Sequence, residues 1–271
     1  FFSVPVHQRW TTPLAERVMP GARWFPGATL NYAEVVFSRA RADHPAIIYA
    51  DERDDAPGVV HPLSWAGLAD QAGRAAAVLR AHGVGPGDRV AGYLPNIPEA
   101  IVALLACASI GAIWSSCSPD FGARGVIDRF AQIAPKVLIA VTGYQYGGKV
   151  HDRRDVLRDL RDGLPGLAHT LVLPFDDLRF AAPGVSDWQT ALDAAAPDLR
   201  FEPVPFDHPL WILYSSGTTG LPKPIVHGHG GIVLEHLKAT GLHNDLGPGD
   251  RFFWYTSTGW MMWNYLIGGL L

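Results

Sequence analysis

Ten residues, Tyr214 to Lys223 (YSSGTTGLPK), combine hydroxyls, glycines and a lysine in the way a phosphate-gripping loop requires. Six consecutive positions, Ser215 to Gly220, are Ser, Thr or Gly. A polyphosphate needs many hydrogen-bond donors at short range and little steric bulk. Gly217 and Gly220 let backbone N–H groups close in on an anion. Ser215, Ser216, Thr218 and Thr219 add hydroxyl donors that rotate to suit the phosphate oxygens, and Lys223 adds a point charge. Pro222 and Pro224 on either side of that lysine restrict its backbone. An ordinary polar connection between elements is the competing reading, because Ser, Thr, Gly and Pro also cluster in loops. The pattern is not G-x-x-x-x-G-K-S/T, and no G-x-G-x-x-G occurs.

The elements that hold this loop are legible on both sides. An apolar run, WILY, precedes it, and KPIVH follows as a returning strand, so the loop is expected between two strands. Further upstream, RVAGYL, PEAIVALLACASIG, AIWSSC, ARGVIDRFAQIA and KVLIAV alternate strand and helix from Arg89 onward. Short apolar strands alternating with helices predict an α/β fold with a mostly parallel sheet covered on both faces. AIIYADERDDAPGVVHPLSW reads as a hairpin turning at Pro57 and Gly58. Ser64 then caps a helix whose apolar positions are Trp65, Leu68, Ala72, Ala75 and Leu79, ending before Gly83.

The first 45 residues, rich in Pro, Trp and Arg, read as a wrapping segment with one helix over roughly Asn31 to Arg41. HDRRDVLRDLRD, His151 to Asp162, reads as a solvated helix with an Arg158–Asp162 pair. Prolines from Pro174 to Pro209 mark a long connection interrupted by a short helix at Trp188 to Ala195. A division near residue 205 gives a first unit, 1–205, and the start of a second, 206–271, which carries the loop.

Other chemistry-bearing residues have plainer readings. Ser115, Ser116, Ser118, Pro119 and Asp120 follow a strand and form either a ligand-facing turn or a helix-initiating loop. His227, His229, His236 and His243 lack the H-E-x-x-H carboxylate and have no nearby cysteine, so local hydrogen bonding or solvent exposure is the expectation for them. Cys107 and Cys117 read as small buried hydrophobes. Trp260 to Trp263, by composition alone, read as core.

Composition narrows the class. With 22 Lys and Arg against 26 Asp and Glu, the formal net charge is −4, which gives no basic stripe for nucleic acid. Neither a secretory leader nor an apolar run long enough to span a membrane is evident, so a cytoplasmic protein is expected. The opening FFSV and the apolar close MMWNYLIGGLL read as a piece of a longer chain, whose remainder is the expected partner of that apolar tail.

YSSGTTGLPK resembles the signature of the adenylate-forming superfamily, which includes acyl-CoA synthetases, peptide-synthetase adenylation domains and luciferases. IVHGHGGIVLEHLK (Ile225 to Lys238) and FWYTSTGWMMWNYL (Phe253 to Leu266) resemble its acetoacetyl-CoA synthetase branch, and WFPGATLNYAE (Trp24 to Glu34) resembles a segment shared with acetyl-CoA synthetases. Pro224 departs from the glycine that many members carry there. The resemblance implies a partial N-terminal domain of that superfamily, its second subdomain truncated. It implies an AMP-forming acid–thiol ligase acting on acetoacetate, ATP and CoA through an acyl-adenylate, with acetyl- or propionyl-CoA synthetase and a non-catalytic nucleotide-binding module as alternatives. On this reading Ser215, Ser216, Gly217, Thr218, Thr219, Gly220 and Lys223 hold the phosphates. Mg²⁺ bridges the phosphate oxygens, with Thr218 as its candidate protein ligand. His227, with Gly230 and Gly231, supports the loop; Trp260, Met261 and Met262 shape the acyl pocket; and Lys149 lies toward the CoA entrance. The catalytic lysine is expected beyond residue 271.

Overall fold

The structure is a computed structural model and describes residues 2–54, 56, 58–215 and 220–271. Its N-terminal segment forms a small antiparallel ribbon of β1 (Leu14–Glu16) and β2 (Arg23–Trp24), then β3 (Thr29–Leu30) and α1 (Tyr32–Phe37). Asn31 caps α1 by accepting from the Ala33 N–H. The helix stops at Phe37 and does not run to Arg41. Ser38 Oγ donates to the Val35 carbonyl, and the next two N–H groups reach back three residues, closing the helix in tight turns.

The expected hairpin is present as β4 (Pro45–Tyr49) antiparallel to β5 (His61–Ser64); Pro57 lies outside the described residues. Ser64 Oγ accepts from the Gly67 N–H at 3.1 Å and starts α2 (Trp65–Ala81). That helix ends where Gly83 takes φ +74°, a conformation that suits glycine.

The strand and helix alternation follows as β6 (Arg89–Tyr93), α3 (Pro98–Ser109), β7 (Ile113–Cys117), α4 (Ala123–Phe130) and β8 (Val137–Val141). A surface hairpin, β9 (Gly143–Tyr146) with β10 (Lys149–Asp152), leads to α5 (Arg154–Gly163). On α5, Arg158 pairs with Asp155 and not with Asp162: the backward reach of three residues brings the two side chains together first.

β11 (His169–Leu173), unread in the sequence, precedes Pro174, and the stretch expected to be a long connection adds β12 (Val185–Asp187) before α6 (Trp188–Ala194). Then come β13 (Val204–Pro205), antiparallel to β3, and the hairpin β14 (Pro209–Ser215) and β15 (Lys223–Gly228). The chain closes with α7 (His229–Leu237), a π-helical turn at Lys238–His243 and α8 (Met261–Ile267).

One seven-stranded sheet in the order β12-β11-β8-β6-β7-β14-β15 organises these elements. Every neighbouring pair in it is parallel except β14 with β15. The strands β14 and β15, which follow residue 205, are thus hydrogen-bonded into the same sheet as the strands before it. Side chains alternate between two apolar cores. Val90, Ile139 and Trp211 face α1, α2, α3, α7 and α8, while Ala91, Leu138 and Ile212 face α4 and α5. β15 ends the sheet, with Ile225 and Val226 exposed.

Candidate functional site

Because β6, β7 and β14 run parallel, their carboxyl ends, Tyr93, Cys117 and Ser215, reach the same edge of the sheet. Open α/β sheets bind ligands outside that edge. The Ser215 to Lys223 segment begins there: Ser215 on β14 lies opposite Lys223 on β15, so its two arms are hydrogen-bonded strands. Ser216, Gly217, Thr218 and Thr219 lie outside the described residues. Gly220 has φ +94° and open space where a Cβ would stand, a backbone state that glycine adopts without strain.

Both arms are tied to α4 and the turn that follows it. Tyr214 Oη donates to the Arg129 carbonyl at 2.7 Å, and Gln132 Nε2 donates to the Pro222 carbonyl at 2.9 Å. Lys223 is exposed and has no carboxylate partner among the described residues. Pro224 is accommodated because β15 is an edge strand, where a missing N–H is tolerated.

At the far end of this hairpin Trp211 Nε1 donates to His227 Nδ1 at 3.0 Å, which leaves Nε2 of the neutral ring as the protonated nitrogen. Gly230 and Gly231 differ in what they do. A Cβ on Gly230 would meet the Phe206 ring at 2.1 Å, whereas nothing lies within 4 Å of one on Gly231. The first glycine therefore seats α7 on the link between β13 and β14. The four histidines do not behave alike either. His243 is exposed, His227 is half-buried and bonded, and His229 accepts from the Tyr32 N–H at 3.1 Å. His236, expected to bond locally or face solvent, is fully buried with neither ring nitrogen partnered. Among the described residues no group of three or more His, Cys, Asp or Glu could hold a metal ion.

Burial pushes His229 down to about 3, with His208 beside it adding to the effect, and pushes His236 down to about 4. An unfolded histidine titrates near ~6.5. Between those values the unfolded chain binds protons that the folded chain refuses, so stability is complete above about pH 6.5 and falls as the pH drops. Each ring should cost about 2 kcal/mol at pH 5 relative to pH 7. Urea midpoints at the two pH values test this, and equal midpoints would show that the rings are not held neutral.

The segment from Thr256 to Trp263 reaches the same sheet edge. Thr258, fully buried, donates from Oγ1 to the Leu94 carbonyl at 2.6 Å, and its own carbonyl accepts from Ser116 Oγ at 2.8 Å. Trp263 Nε1 donates to Asn96 Oδ1 at 2.9 Å. These bonds hold the first turn of α8 beside the ends of β6 and β7. There Trp260 and Met261 are 57% and 41% exposed, Met262 is half-buried and Trp263 is fully buried. The expected pocket trio thus presents apolar surface, while only the fourth residue is core. Asn96 went unread in the sequence, since it lies in no motif, and Thr258, inside the Phe253 to Leu266 motif, had no role of its own assigned.

Ser115 and Ser116 are not part of a turn. They lie in β7, and Ser115 Oγ donates to the Ile212 carbonyl at 2.8 Å, fastening β7 to β14. The next helix, α4, begins after Gly122 without a side-chain cap, so neither serine starts it. Cys107 and Cys117 are buried free thiols, and burial pushes Cys117 up to about 12.

The family described as AMP-binding enzyme matches residues 36–270. The chain belongs to the AMP-binding enzyme family. It is similar to the acetoacetyl-coenzyme A synthetase of Rhizobium meliloti (strain 1021), 46% identical over 257 residues, covering 93% of this chain and 38% of that protein. The acetoacetyl-CoA synthetase of Gallus gallus is 43% identical over 263 residues, covering 91% of this chain and 38% of that protein. Among solved structures, the acetoacetyl-CoA synthetase from Streptomyces lividans superposes with a TM-score of 0.94 at 58% identity, covering 99% of this chain and 41% of that one. The chain therefore spans 38% of the length of these curated relatives. Membership of the AMP-binding enzyme family agrees with the α/β fold and its mostly parallel sheet.

Proposed function

We propose that the complete protein is an ATP-dependent, AMP-forming ligase that joins acetoacetate to CoA through an acyl-adenylate. The observation that carries this reading is the meeting, at one sheet edge, of the Ser215–Lys223 strand pair with the Thr258-anchored turn that bears Trp260, Met261 and Met262. Ser215 to Gly220 and Lys223 would grip the β- and γ-phosphates, and His227 would brace the hairpin from its far end. Mg²⁺ enters with ATP as part of the metal–nucleotide substrate; its candidate ligand Thr218 lies outside the described residues. Trp260, Met261 and Met262 would wall the acyl tail, since apolar linings suit such pockets. Lys149, exposed at the start of β10, would lie toward CoA.

The chemistry asks for no protein nucleophile in the first step. The substrate carboxylate attacks the α-phosphorus, pyrophosphate leaves, and the protein contributes position and charge neutralisation. The CoA thiol then takes the acyl group and AMP departs. A lysine from outside the 271 residues would complete the adenylation site, so these residues alone should be inactive or nearly so. No helix of the described residues is long and apolar enough to cross a membrane, and a cytoplasmic location is part of the proposal.

ATP–pyrophosphate exchange by the complete protein should depend on acetoacetate. Exchange that requires acetate or propionate and ignores acetoacetate would reject the assigned substrate. Nucleotide binding without exchange for any acid would favour a non-catalytic module.

A further inference from the structure

One turn beyond the proposed acyl wall, two polar side chains make no side-chain hydrogen bond among the described residues. His236 on α7 and Asn264 on α8 are both fully buried, and neither the ring nitrogens of the one nor the amide atoms of the other make a hydrogen bond among the described residues. Both lie beside Gly268, whose backbone packs against Nδ1 of the ring and leaves Nε2 as the nitrogen open to a guest. The Gly268 N–H donates to the Asn264 carbonyl, and a Cβ on Gly268 would stand 2.3 Å from His236 Nδ1. The His236 ring packs near Trp211 and against the edge of Tyr265, with centroids 5.9 and 5.6 Å away. Directly after α7 the chain widens into the π-helical turn Lys238–His243, where Thr240 Oγ1 donates to the His236 carbonyl at 2.7 Å. Such turns gather at functional sites.

Buried polar groups in native proteins are nearly always satisfied, so a pair like this calls for a polar guest. We infer that His236 and Asn264 receive the distal carbonyl oxygen of a 3-oxoacyl substrate and so separate 3-oxo acids from alkanoic acids of equal length. The inference rests on the ligase reading and on Trp260 to Met262 as its acyl wall. Burial keeps the His236 ring neutral, so it offers one N–H, and Asn264 offers two. A ketone oxygen can only accept, which matches those donors. An alkanoic acid would leave them unpaired, and a site built to hydrogen-bond its substrate rejects such analogues strongly.

The test compares acetoacetate with butyrate in ATP–pyrophosphate exchange by the full-length protein. In Asn264→Leu and His236→Phe the ratio of kcat/KM for acetoacetate over butyrate should fall by about 10²-fold or more. A wild type that responds to acetate and not to acetoacetate overturns the substrate reading, and the subsite with it. A wild type active with acetoacetate whose variants lose both acids in proportion, or neither, overturns the subsite alone. If the variants do not fold, a crystal structure of the wild-type protein with acetoacetate and a non-hydrolysable ATP analogue decides. The ketone oxygen is expected within about 3.2 Å of His236 or Asn264, and a ketone oxygen bonded elsewhere overturns the inference.

Discussion

Replacing Lys223 by alanine in the complete protein should lower acetoacetate-dependent ATP–pyrophosphate exchange by about 10²- to 10³-fold, the usual cost of deleting one strong electrostatic contact to a transition state. Lys223 stands opposite Ser215 at the mouth of the loop, exposed and without an ion-pair partner among the described residues. A cation held there by strand pairing is available to phosphate oxygens. For the same reason its loss should barely touch the fold, changing stability by no more than about 0.5 kcal/mol. Arginine should restore only part of the rate, because its planar fork is not a compact ammonium. Exchange at the wild-type rate in Lys223→Ala would remove the lysine from the mechanism.

A second large effect is expected at Asn31, where stability and not chemistry should respond. Its fully buried amide donates to the Ala108 and Glu202 carbonyls at 2.8 and 2.9 Å and accepts from the Ala33 N–H at 2.9 Å. One side chain thereby joins the start of α1, the end of α3 and the stretch that leads into β13 and the β14–β15 hairpin. Asn31→Ala removes a helix cap and the amide's bonds to the Ala108 and Glu202 carbonyls, the first of which keeps the Gly111 N–H, so it should cost about 2 kcal/mol in urea unfolding. Asn31→Asp keeps the cap but sets a buried carboxylate oxygen against the two carbonyls, so it should cost at least as much as alanine. A loss under about 1 kcal/mol in Asn31→Ala would show that water replaces the amide.

How far the sequence carried the reading depended on whether a signal was local. The alternation from Arg89 to Val141 is local, and β6, α3, β7, α4 and β8 appear where their apolar runs lie. Ser64 and Gly83 punctuate α2 for equally local reasons. β11 was hidden because HTLVL is a short run beside Pro174, and β12 because Val185–Asp187 is only three residues long and only half-buried. Both owe their strand state to neighbours already in the sheet. The site shows the same divide. The strands on either side of the Ser215 to Lys223 segment were legible, as KPIVH returning from it was. The burial of His236 was not, since Gly268 and Trp211, which enclose it, are distant in the chain. Nor were the Ser115 and Ser116 hydroxyls, spent on Ile212 and Thr258 carbonyls rather than on a turn.

The outermost strand, β15, has a further bearing on how the molecule behaves. Its second side has no strand neighbour among the described residues, and Ile225 and Val226 project from it uncovered. Unpaired backbone beside β-branched side chains is a template for strand addition. In the 271-residue chain, pairing between copies is expected to start along this edge strand.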